Sequence, residues 1–460
     1  MSEAMDSIDV TKKGAALAAA EAGRFDALPI YKPEIECASR EDIRALQLEK
    51  LKETVAYAYE RVPYYRQKLD EMGVAPSDIQ TLEDVRKLPF TDKAVLRETF
   101  PFGLFAVPLD DIRELHSSSG TTGKPVVVGY TDDDMDMWSE CIARLVQMAG
   151  VVPGDIAQMA FGYGMFTGGF GLHYGLQRLG CAMIPAGSGN TERHIQMIED
   201  YGTTVLVATP SYALHVCEVG EKMGYDWAKS PLRVGLFGGE PCPPGLKAEI
   251  EDRMHIVCTD NYGLTEVMGP GVSGECLASR DMQHLAEDHF LWEVVDPETG
   301  DPVPDGEMGE LVLTPLGKQA IPVLRYRTHD LTRVVCEPCA CGRTTARMQK
   351  VRARSDDMLI IRGTNVFPSQ VEDVLAGIDG VTPHYRIVVE SAGGLDRMTV
   401  HVELKPEAFS DSYEDMENLR RSIEDKLKGV LLVGVKAKLV EPGGIERSTG
   451  KTKHVEDLRK

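Results

Sequence analysis

The chain has 460 residues, of which 43% are hydrophobic and 27% charged, and its formal net charge is −22. This length predicts roughly two or three globular domains, and no apolar run approaches the roughly 18–20 residues of a membrane span. The acidic balance excludes a general nucleic-acid binder, which needs a basic face. The opening stretch MSEAMDSIDVTKKG lacks the pattern of a secretion signal. We therefore expect a cytoplasmic enzyme with no nucleic-acid or membrane partner.

The predicted elements change character along the chain. Residues 1–100 are predicted to be charged helices, and Pro63 marks a helix boundary or kink. Residues 110–330 alternate short apolar runs with helical stretches, and each run ends in a turn rich in Gly, Pro, Ser and Thr. This alternation predicts an α/β fold whose ligands lie at the ends of strands.

A second unit follows near residue 352. Its pattern predicts a strand, a helix beginning at Pro368, two alternating strands, an amphipathic helix over 411–430 and a further strand. We therefore divide the chain into a large N-terminal α/β domain of mixed sheets and helices, 1–353, and a small α+β C-terminal domain, 354–460.

Residues 117–125, with the sequence SSSGTTGKP, form the most informative segment. Glycines allow backbone N–H groups to surround an anion, hydroxyls add hydrogen-bond partners, and Lys124 adds a positive charge. Two residues separate its glycines and a proline follows the lysine, so the segment is not a Walker loop. A plain Ser/Thr/Gly turn is the alternative. Because the next residues, 126–128, predict a strand that would fix the segment, we interpret it as a polyphosphate cradle. Its binding residues are Ser119, Gly120, Thr121, Thr122, Gly123 and Lys124.

Ten cysteines in a chain expected to be cytosolic suggest reduced thiols or metal ligands rather than disulfides. Most of them lie singly along the chain. The exception is the stretch CEPCACGR, which contains Cys336, Cys339 and Cys341.

Five further motifs follow the cradle in order, namely FGGEP (237–241), DNYGLTE (260–266), YRTHD (326–330), the stretch 352–372 and RSTGK (447–451). Together with HSSSGTTGKPVVVGYT they resemble the acyl-adenylate-forming ligase superfamily. Within it the chain is most similar to the phenylacetate–CoA ligase family, over nearly its whole length. The resemblance implies that a carboxylate attacks the α-phosphorus of ATP, giving acyl-AMP and pyrophosphate. Coenzyme A then takes the acyl group as a thioester and releases AMP.

The resemblance also implies a set of residues at the adenosine part of ATP. Asp260 would meet the adenine amino group and Tyr262 would stack on the ring. Asp330 would accept both ribose hydroxyls with its two oxygens, and Arg354 would add a ribose contact. The segments that would lie beside the nucleotide include Gly239, Glu240, Pro241 and Gly263. Each of these residue types alone is more often structural, and the ordered set favours function.

The reacting end of ATP is assigned in the same way. The cradle would hold the β- and γ-phosphates, Thr265 would contact the α-phosphate, and Glu266 would hold Mg²⁺ as a hard oxygen ligand. Lys451, preceded by glycine, matches a C-terminal lysine that bridges the carboxylate and α-phosphate oxygens as charge builds. A solvated surface lysine is the alternative, and Lys453 is the second candidate for the role.

The C-terminal domain would be mobile and would swing between the two half-reactions about a hinge at Asp356. The family mostly has Gly-Arg before the hinge, whereas this chain has Ala353 and Arg354. After the swing, residues 362–365 would face the pantetheine tunnel.

The aromatic, glycine-rich segment 161–175 matches the part of the family that lines the acid pocket. With its neighbours it would form an apolar slot for an aryl ring, lined by Phe161, Phe166, Phe237 and Pro270. Each of these could equally be an ordinary core residue. Phenylacetate, hydroxylated phenylacetates, benzoates and indoleacetate all remain open as the acid.

A structural zinc site is the last implication of the resemblance. Cys339 and Cys341 would supply two thiolates, and Cys276 and His284 would complete a closed tetrahedral set. Cys336 could replace either of the first two.

The partners expected are a small aromatic carboxylic acid, ATP and CoA, with Mg²⁺ and zinc as metals and a homodimer as one possible assembly. A second interpretation is an adenylase that loads a carrier protein or another nucleophile. A third is a catalytically dead nucleotide-binding protein. The joint presence of Lys124, Glu266, Asp330 and Lys451 argues against the third.

Overall fold

The computed structural model describes residues 20, 23, 25, 28–117, 126–351, 353–355, 359–361, 364–392, 395–409, 412–446 and 454–459. The predicted cradle residues Ser119 to Lys124, the hinge residue Asp356 and the candidate lysines Lys451 and Lys453 lie outside these ranges. Among the described helices, none is both long enough and apolar enough to cross a membrane.

The described helices are distributed over the whole chain. They are Pro33–Glu36 (α1), Arg40–Arg61 (α2), Pro63–Met72 (α3), Lys93–Glu98 (α4), Asp132–Met148 (α5), Thr167–Leu179 (α6), Thr191–Tyr201 (α7), Pro210–Lys222 (α8), Pro244–Met254 (α9), Pro368–Ala376 (α10) and Tyr413–Leu431 (α11). The N-terminal region is helical as predicted. Helix α2 ends just before Val62, whose backbone is extended, and α3 begins at Pro63, so the predicted boundary at this proline is confirmed.

The described strands of the larger unit begin with a hairpin. They are Glu114–Ser117 (β1), Val127–Tyr130 (β2), Ile156–Met159 (β3), Ala182–Ile184 (β4), Val205–Ala208 (β5), Val234–Phe237 (β6), Val257–Leu264 (β7), Gly269–Cys276 (β8), Ser279–Leu285 (β9), Phe290–Val295 (β10), Gly309–Pro315 (β11), Tyr326–Thr332 (β12), Val334–Val335 (β13), Arg347–Gln349 (β14) and Ala353–Arg354 (β15). Strand β2 is the strand predicted after the cradle. Ser117 pairs with Val127 across the hairpin, so the described residues on both sides of the cradle segment belong to neighbouring strands.

The main sheet has nine strands in the order β13-β14-β9-β8-β7-β6-β5-β3-β4. Strands β4, β3, β5, β6 and β7 are parallel to one another, and β7, β8, β9, β14 and β13 are antiparallel. All residues of β5 and β6 are buried, because helices and loops cover both faces of the sheet. The α/β prediction is confirmed, with a sheet that is mixed rather than wholly parallel.

A second sheet, of order β10-β11-β12-β15, is antiparallel. Its last strand contains Arg354, the first residue of the predicted C-terminal domain, which pairs with Asp330 of β12. The exact division at 353 and 354 stays a prediction.

The C-terminal unit has a core of its own. Its described strands are Leu359–Ile361 (β16), Thr364–Val366 (β17), Val381–Ala392 (β18), Leu395–Leu404 (β19), Lys436–Val440 (β20) and Val455–Asp457 (β21). Four of them form a sheet of order β20-β19-β18-β21, and β16 and β17 form a separate hairpin. The core of this unit includes Ile387 and Val400 of the sheet together with Leu375 of α10 and Leu427 of α11. The small α+β domain is confirmed, and β21 is a strand that the sequence pattern did not indicate.

Candidate active site

The carboxylate of Asp330 is the point where three distant segments meet. It lies on β12 and is only 6% exposed. The Tyr262 hydroxyl of β7 donates to Oδ2 over 2.5 Å, and Arg354 Nη1 of β15 donates to Oδ1 over 2.9 Å. Burial, with the charge of Asp330, raises the pKa of Tyr262 well above its usual range, so the phenol remains a donor. A carboxylate oxygen can accept more than one hydrogen bond, so this group is chemically suited to binding hydroxyls of a ligand.

Glu266 and Thr265 lie in the turn between β7 and β8. The carboxylate of Glu266 is buried, and Lys93 Nζ approaches its Oε1 to 3.4 Å. Thr265 Oγ1 is 3.2 Å from Thr167 Oγ1, at the first residue of α6. Neither residue was predicted from the sequence: Lys93 lies outside the recognised motifs, and Thr167 lies in the segment 161–175, of which only the aromatic residues were singled out. The Glu266 carboxylate is buried, whereas its partner Lys93 is half-exposed. This arrangement suits a site at which a metal cation takes the place of Lys93 beside the carboxylate.

Lys93 is held near this site by its own segment. The Thr91 N–H donates to the Arg325 carbonyl over 3.1 Å, and the Arg327 N–H donates back to the Thr91 carbonyl over 2.8 Å. Asp92 then caps α4, whose first residue is Lys93. The strand that contains Asp330 therefore also positions Lys93.

The predicted adenine residues lie at the carboxyl ends of β6 and β7. Asp260 is nearly buried, and burial raises its pKa to about 7 against the lowering effect of Lys350. Gly239 has a φ of +81°, which a glycine adopts without strain, and Glu240 accepts the Ser211 N–H over 2.7 Å. Pro241 is exposed.

Gly263 has a packing reason as well as a predicted binding role. A Cβ at this position would clash with the Gly269 carbonyl oxygen where β7 pairs with β8. Close approach of the two strands therefore requires glycine here.

The four residues predicted to line the acid pocket do not share one environment. Phe161 is partly buried and packs against the main core. Its ring lies close to Gly239, since a Cβ atom added to that glycine would be 3.5 Å from the ring. Phe166 is 50% exposed, and Pro270 is buried with its carbonyl bonded to Trp138 Nε1 over 2.8 Å. Phe237 is fully buried in a second core cluster, separate from that of Phe161. This placement favours the core interpretation for Phe237.

Aromatic residues that the sequence analysis did not single out surround this region. Phe170 contacts His116 edge-on at 5.3 Å between centroids, and Trp138 stacks on Tyr130 at 4.7 Å. The apolar character of this part of the site thus comes from side chains of β1, β2, α5 and α6 as well as from residues 161–166.

A second group of functional candidates lies apart from the nucleotide residues. The ligand atoms of Cys276, His284, Cys339 and Cys341 all lie within 4.8 Å of one another, and all four residues are buried. The Cys276 and Cys339 sulfurs are 3.7 Å apart, and His284 Nε2 is 3.5 Å from the Cys341 sulfur. A tetrahedral zinc with Zn–S distances of about 2.3 Å separates two sulfurs by about 3.8 Å. A disulfide requires about 2.05 Å.

Further features fit the same group. His284 Nδ1 is 2.9 Å from Thr345 Oγ1, which leaves Nε2 directed at the cysteines. Hydrogen bonds from the Cys276 and Cys339 thiols lower the pKa of Cys341. Cys336 is exposed and is not a member of the group. The four residues form a closed Cys₃His set suited to a tetrahedral metal ion.

Comparison with known proteins identifies the family. The model of the AMP-binding enzyme family matches residues 57–316, and that of the AMP-binding enzyme C-terminal domain matches residues 363–459. The chain belongs to the AMP-binding enzyme family.

Curated relatives of this AMP-binding enzyme include three phenylacetate–coenzyme A ligases. That of Aromatoleum evansii is 48% identical, covering 92% of this chain and 96% of the relative. Those of Thermus thermophilus and Escherichia coli are each 46% identical, covering 94% and 92% of this chain and 100% and 97% of the relatives. The predicted membership of the phenylacetate–CoA ligase family is confirmed.

Solved structures of a 2-hydroxyisobutyryl-CoA ligase share the fold. In its postadenylation state with 2-HIB-AMP, that ligase matches with a TM-score of 0.88 at 29% identity, covering 95% of this chain and 94% of the ligase. Its thioesterification state with 2-HIB-AMP and CoA matches with a TM-score of 0.70 over the same shares. As a whole, this AMP-binding enzyme is therefore more similar to the postadenylation structure than to the thioesterification structure.

Proposed function

We propose that the chain is an AMP-forming acid:CoA ligase that activates an aryl carboxylate as acyl-AMP and transfers the acyl group to coenzyme A. The observation that carries the proposal is the convergence of Tyr262, Asp330 and Arg354 from three strands in a member of the AMP-binding enzyme family. The high identity to phenylacetate–CoA ligases over nearly whole chains supports the same reaction.

In this proposal the described residues orient ATP rather than react with it. Asp330 accepts the ribose hydroxyls, and its bonds from Tyr262 and Arg354 hold the carboxylate in one rotamer. Thr265 would contact the α-phosphate and Glu266 would hold Mg²⁺, which would supply charge neutralisation at the phosphates. Lys93, which lies 3.4 Å from Glu266, would be available to the departing pyrophosphate. Orientation of the α-phosphorus towards the acid is the main contribution of this set.

The roles of the residues outside the described ranges rest on the resemblance. We propose that the loop 119–124 binds the β- and γ-phosphates, that Lys451 stabilises the charge that builds during adenylation, and that Asp356 is the hinge. The 2-hydroxyisobutyryl-CoA ligase matches this chain with TM-scores of 0.88 and 0.70 in its two states, which supports a lid domain that changes position between half-reactions.

For the acid, we propose an aryl carboxylate of the phenylacetate type. The names of the relatives and the aromatic surroundings of Phe161, Phe166 and Phe170 support this class. All ten cysteines are free, which supports a cytoplasmic enzyme.

The acceptor is tested by supplying phenylacetate, ATP and Mg²⁺ with either free CoA or a carrier protein bearing a phosphopantetheine arm. We expect repeated turnover and AMP release only with free CoA. Turnover with the loaded carrier and none with CoA would instead establish the adenylase alternative.

We also propose that Cys276, His284, Cys339 and Cys341 bind a structural zinc ion. Zinc would tie β8 and β9 to the 339–343 turn, and it would take no part in the chemistry because the closed set leaves no open position.

Replacing Cys341 with serine is expected to lower the zinc content from about one ion per chain to near zero and to cost at least about 3 kcal/mol of unfolding free energy. Metal analysis and thermal unfolding check this prediction. Cys336→Ser is the matched control, since Cys336 is exposed and lies outside the group. Purified protein without zinc, with all ten thiols free to titrate, would refute the site.

A further inference from the structure

Four charged side chains form a buried cluster beside the position proposed for adenine. They are Asp260 on β7, Glu275 on β8, Lys247 on α9 and Lys350, which directly follows β14. Apart from Asp260, none was indicated by the sequence. The cluster holds two positive and two negative groups, so it is neutral as a whole and its members compensate one another away from water.

Glu275 is the centre of this cluster. Its side chain is fully buried, and Lys247 Nζ lies 2.7 Å from Oε2 while Lys350 Nζ lies 2.8 Å from Oε1. The backbone N–H of Asp260 also donates to Oε2 over 2.8 Å. Glu275 therefore fixes both the backbone of Asp260 and the position of the two lysines.

Lys350 differs from Lys247 in one respect. Its ammonium group lies between two carboxylates, 2.8 Å from Glu275 and 3.9 Å from Asp260 Oδ2. Lys247 forms its ion pair with Glu275 and has a second contact, at 3.4 Å, with the Arg280 carbonyl. Lys350 is thus the lysine placed to act on the side chain of Asp260.

The charge on Asp260 decides what this side chain can recognise. A carboxylate accepts a hydrogen bond from an amino group and repels a carbonyl oxygen. Adenine has an amino group where hypoxanthine has a carbonyl. An ionised Asp260 at this position would therefore favour adenine over hypoxanthine, and a protonated one would discriminate less.

We propose that Lys350 is a positioning residue for adenine recognition, which keeps the Asp260 carboxylate charged and oriented towards the amino group of the base. The inference rests on the proposed function, which assigns Asp260 to adenine. It adds a residue that lies outside the recognised motifs.

Because of the surroundings of Asp260, AMP binding is expected to depend on pH. Burial raises the pKa of Asp260 to about 7, Lys350 and then Lys247 oppose the rise, and Glu275 adds to it. Among the described residues, Cys242 also faces Asp260, and burial raises the pKa of its thiol, which therefore stays neutral. Asp260 should thus be ionised at pH 8 and mostly protonated at pH 6. Removal of Lys350 should move this transition to higher pH.

The test is equilibrium binding of AMP and of IMP to the full chain between pH 6 and pH 9. For the unaltered protein, we expect AMP affinity to fall about tenfold from pH 8 to pH 6, in step with the ionised fraction of Asp260, while IMP affinity stays level or rises because the repulsion of its carbonyl oxygen is lost. For Lys350→Met we expect about tenfold weaker AMP binding at pH 7, a smaller preference for AMP over IMP, and a midpoint at least about one pH unit higher. Lys350→Arg should restore the preference.

Lys247→Met is the matched control, since it removes a more deeply buried positive charge that also faces Glu275. It should shift the midpoint less than Lys350→Met does. Equal losses for both variants at every pH, with an unchanged preference for AMP, would reduce Lys350 to a structural role and overturn the inference. If Lys350→Met does not fold, Lys350→Gln takes its place in the test, and an unchanged preference for AMP over IMP in that variant overturns the inference. Failure of the unaltered protein to bind AMP at all would instead overturn the proposed function.

Discussion

Replacing Asp330 with asparagine is expected to lower kcat/KM for ATP by at least about 100-fold. The amide keeps the shape of the side chain but loses the negative charge and one acceptor oxygen. Two charge-assisted hydrogen bonds, from Arg354 and from the ribose, are then weakened or lost, which amounts to about 3 kcal/mol. The ion pair between Arg354 and residue 330 is also lost. Steady-state kinetics with ATP as the varied substrate measures the effect.

Tyr262→Phe is the graded control for this prediction. It removes one donor to Asp330 and keeps the aromatic ring, so we expect a loss of only about 3- to 10-fold in kcat/KM. A smaller effect of Asp330→Asn than of Tyr262→Phe would contradict the role of the carboxylate as the ribose acceptor.

Replacing Lys451 with alanine is expected to reduce acid-dependent pyrophosphate release by about 100-fold or more, because a positive charge beside the developing phosphate charge is lost. Formation of the thioester from preformed acyl-AMP and CoA should remain within about threefold, since that step would take place after the lid has moved. Measuring the two half-reactions separately checks the prediction.

Lys453→Ala is the matched control for Lys451, since it removes the same charge two residues further along. Neither residue lies in the described ranges, but the chain directly after them is firmly attached. The His454 ring stacks on Tyr385 at 4.3 Å between centroids, and the His454 carbonyl accepts the Ile387 N–H over 2.7 Å. Equal loss of both half-reactions in Lys451→Ala would exclude a role confined to adenylation.

Much of the fold could be predicted from local pattern. The apolar runs between residues 126 and 264 all form strands, β2 to β7, because each is short, rich in branched residues and closed by a turn. The partners of these strands could not be predicted in the same way. In the main sheet, the strands after β7 run antiparallel to their neighbours. The pairing of β15 with β12 in the second sheet is apparent only in the folded structure.

The same limit applies to the site. Tyr262, Asp330 and Arg354 could be named from their motifs, but their contact depends on the pairing of Asp330 with Arg354 across two strands. Lys93 had no motif, and its place follows from the hydrogen bonds between Thr91 and β12. The resemblance assigns Phe237 and Phe161 to the same acid pocket. The two side chains nevertheless pack in different core clusters, and the motif itself does not show which cluster a side chain joins.

The proposed zinc ligands are brought together partly by their spacing in the sequence and partly by strand pairing. The two cysteines of the CxCGR turn are close by sequence, whereas His284 comes near them because β9 pairs with β14, opposite Arg347. The proposed ligand set could be named from the resemblance, and the contact of its four buried ligand atoms required the fold.

The central claim is that this enzyme forms AMP and an acyl-CoA from an aryl acid. The most direct measurement is product analysis after incubation with ATP, Mg²⁺, CoA and each of phenylacetate, hydroxylated phenylacetates, benzoate and indoleacetate. We predict equal amounts of AMP, pyrophosphate and thioester with at least one of these acids, and no AMP without an acid. Formation of ADP in place of AMP, or nucleotide turnover that does not depend on the acid, would contradict the account.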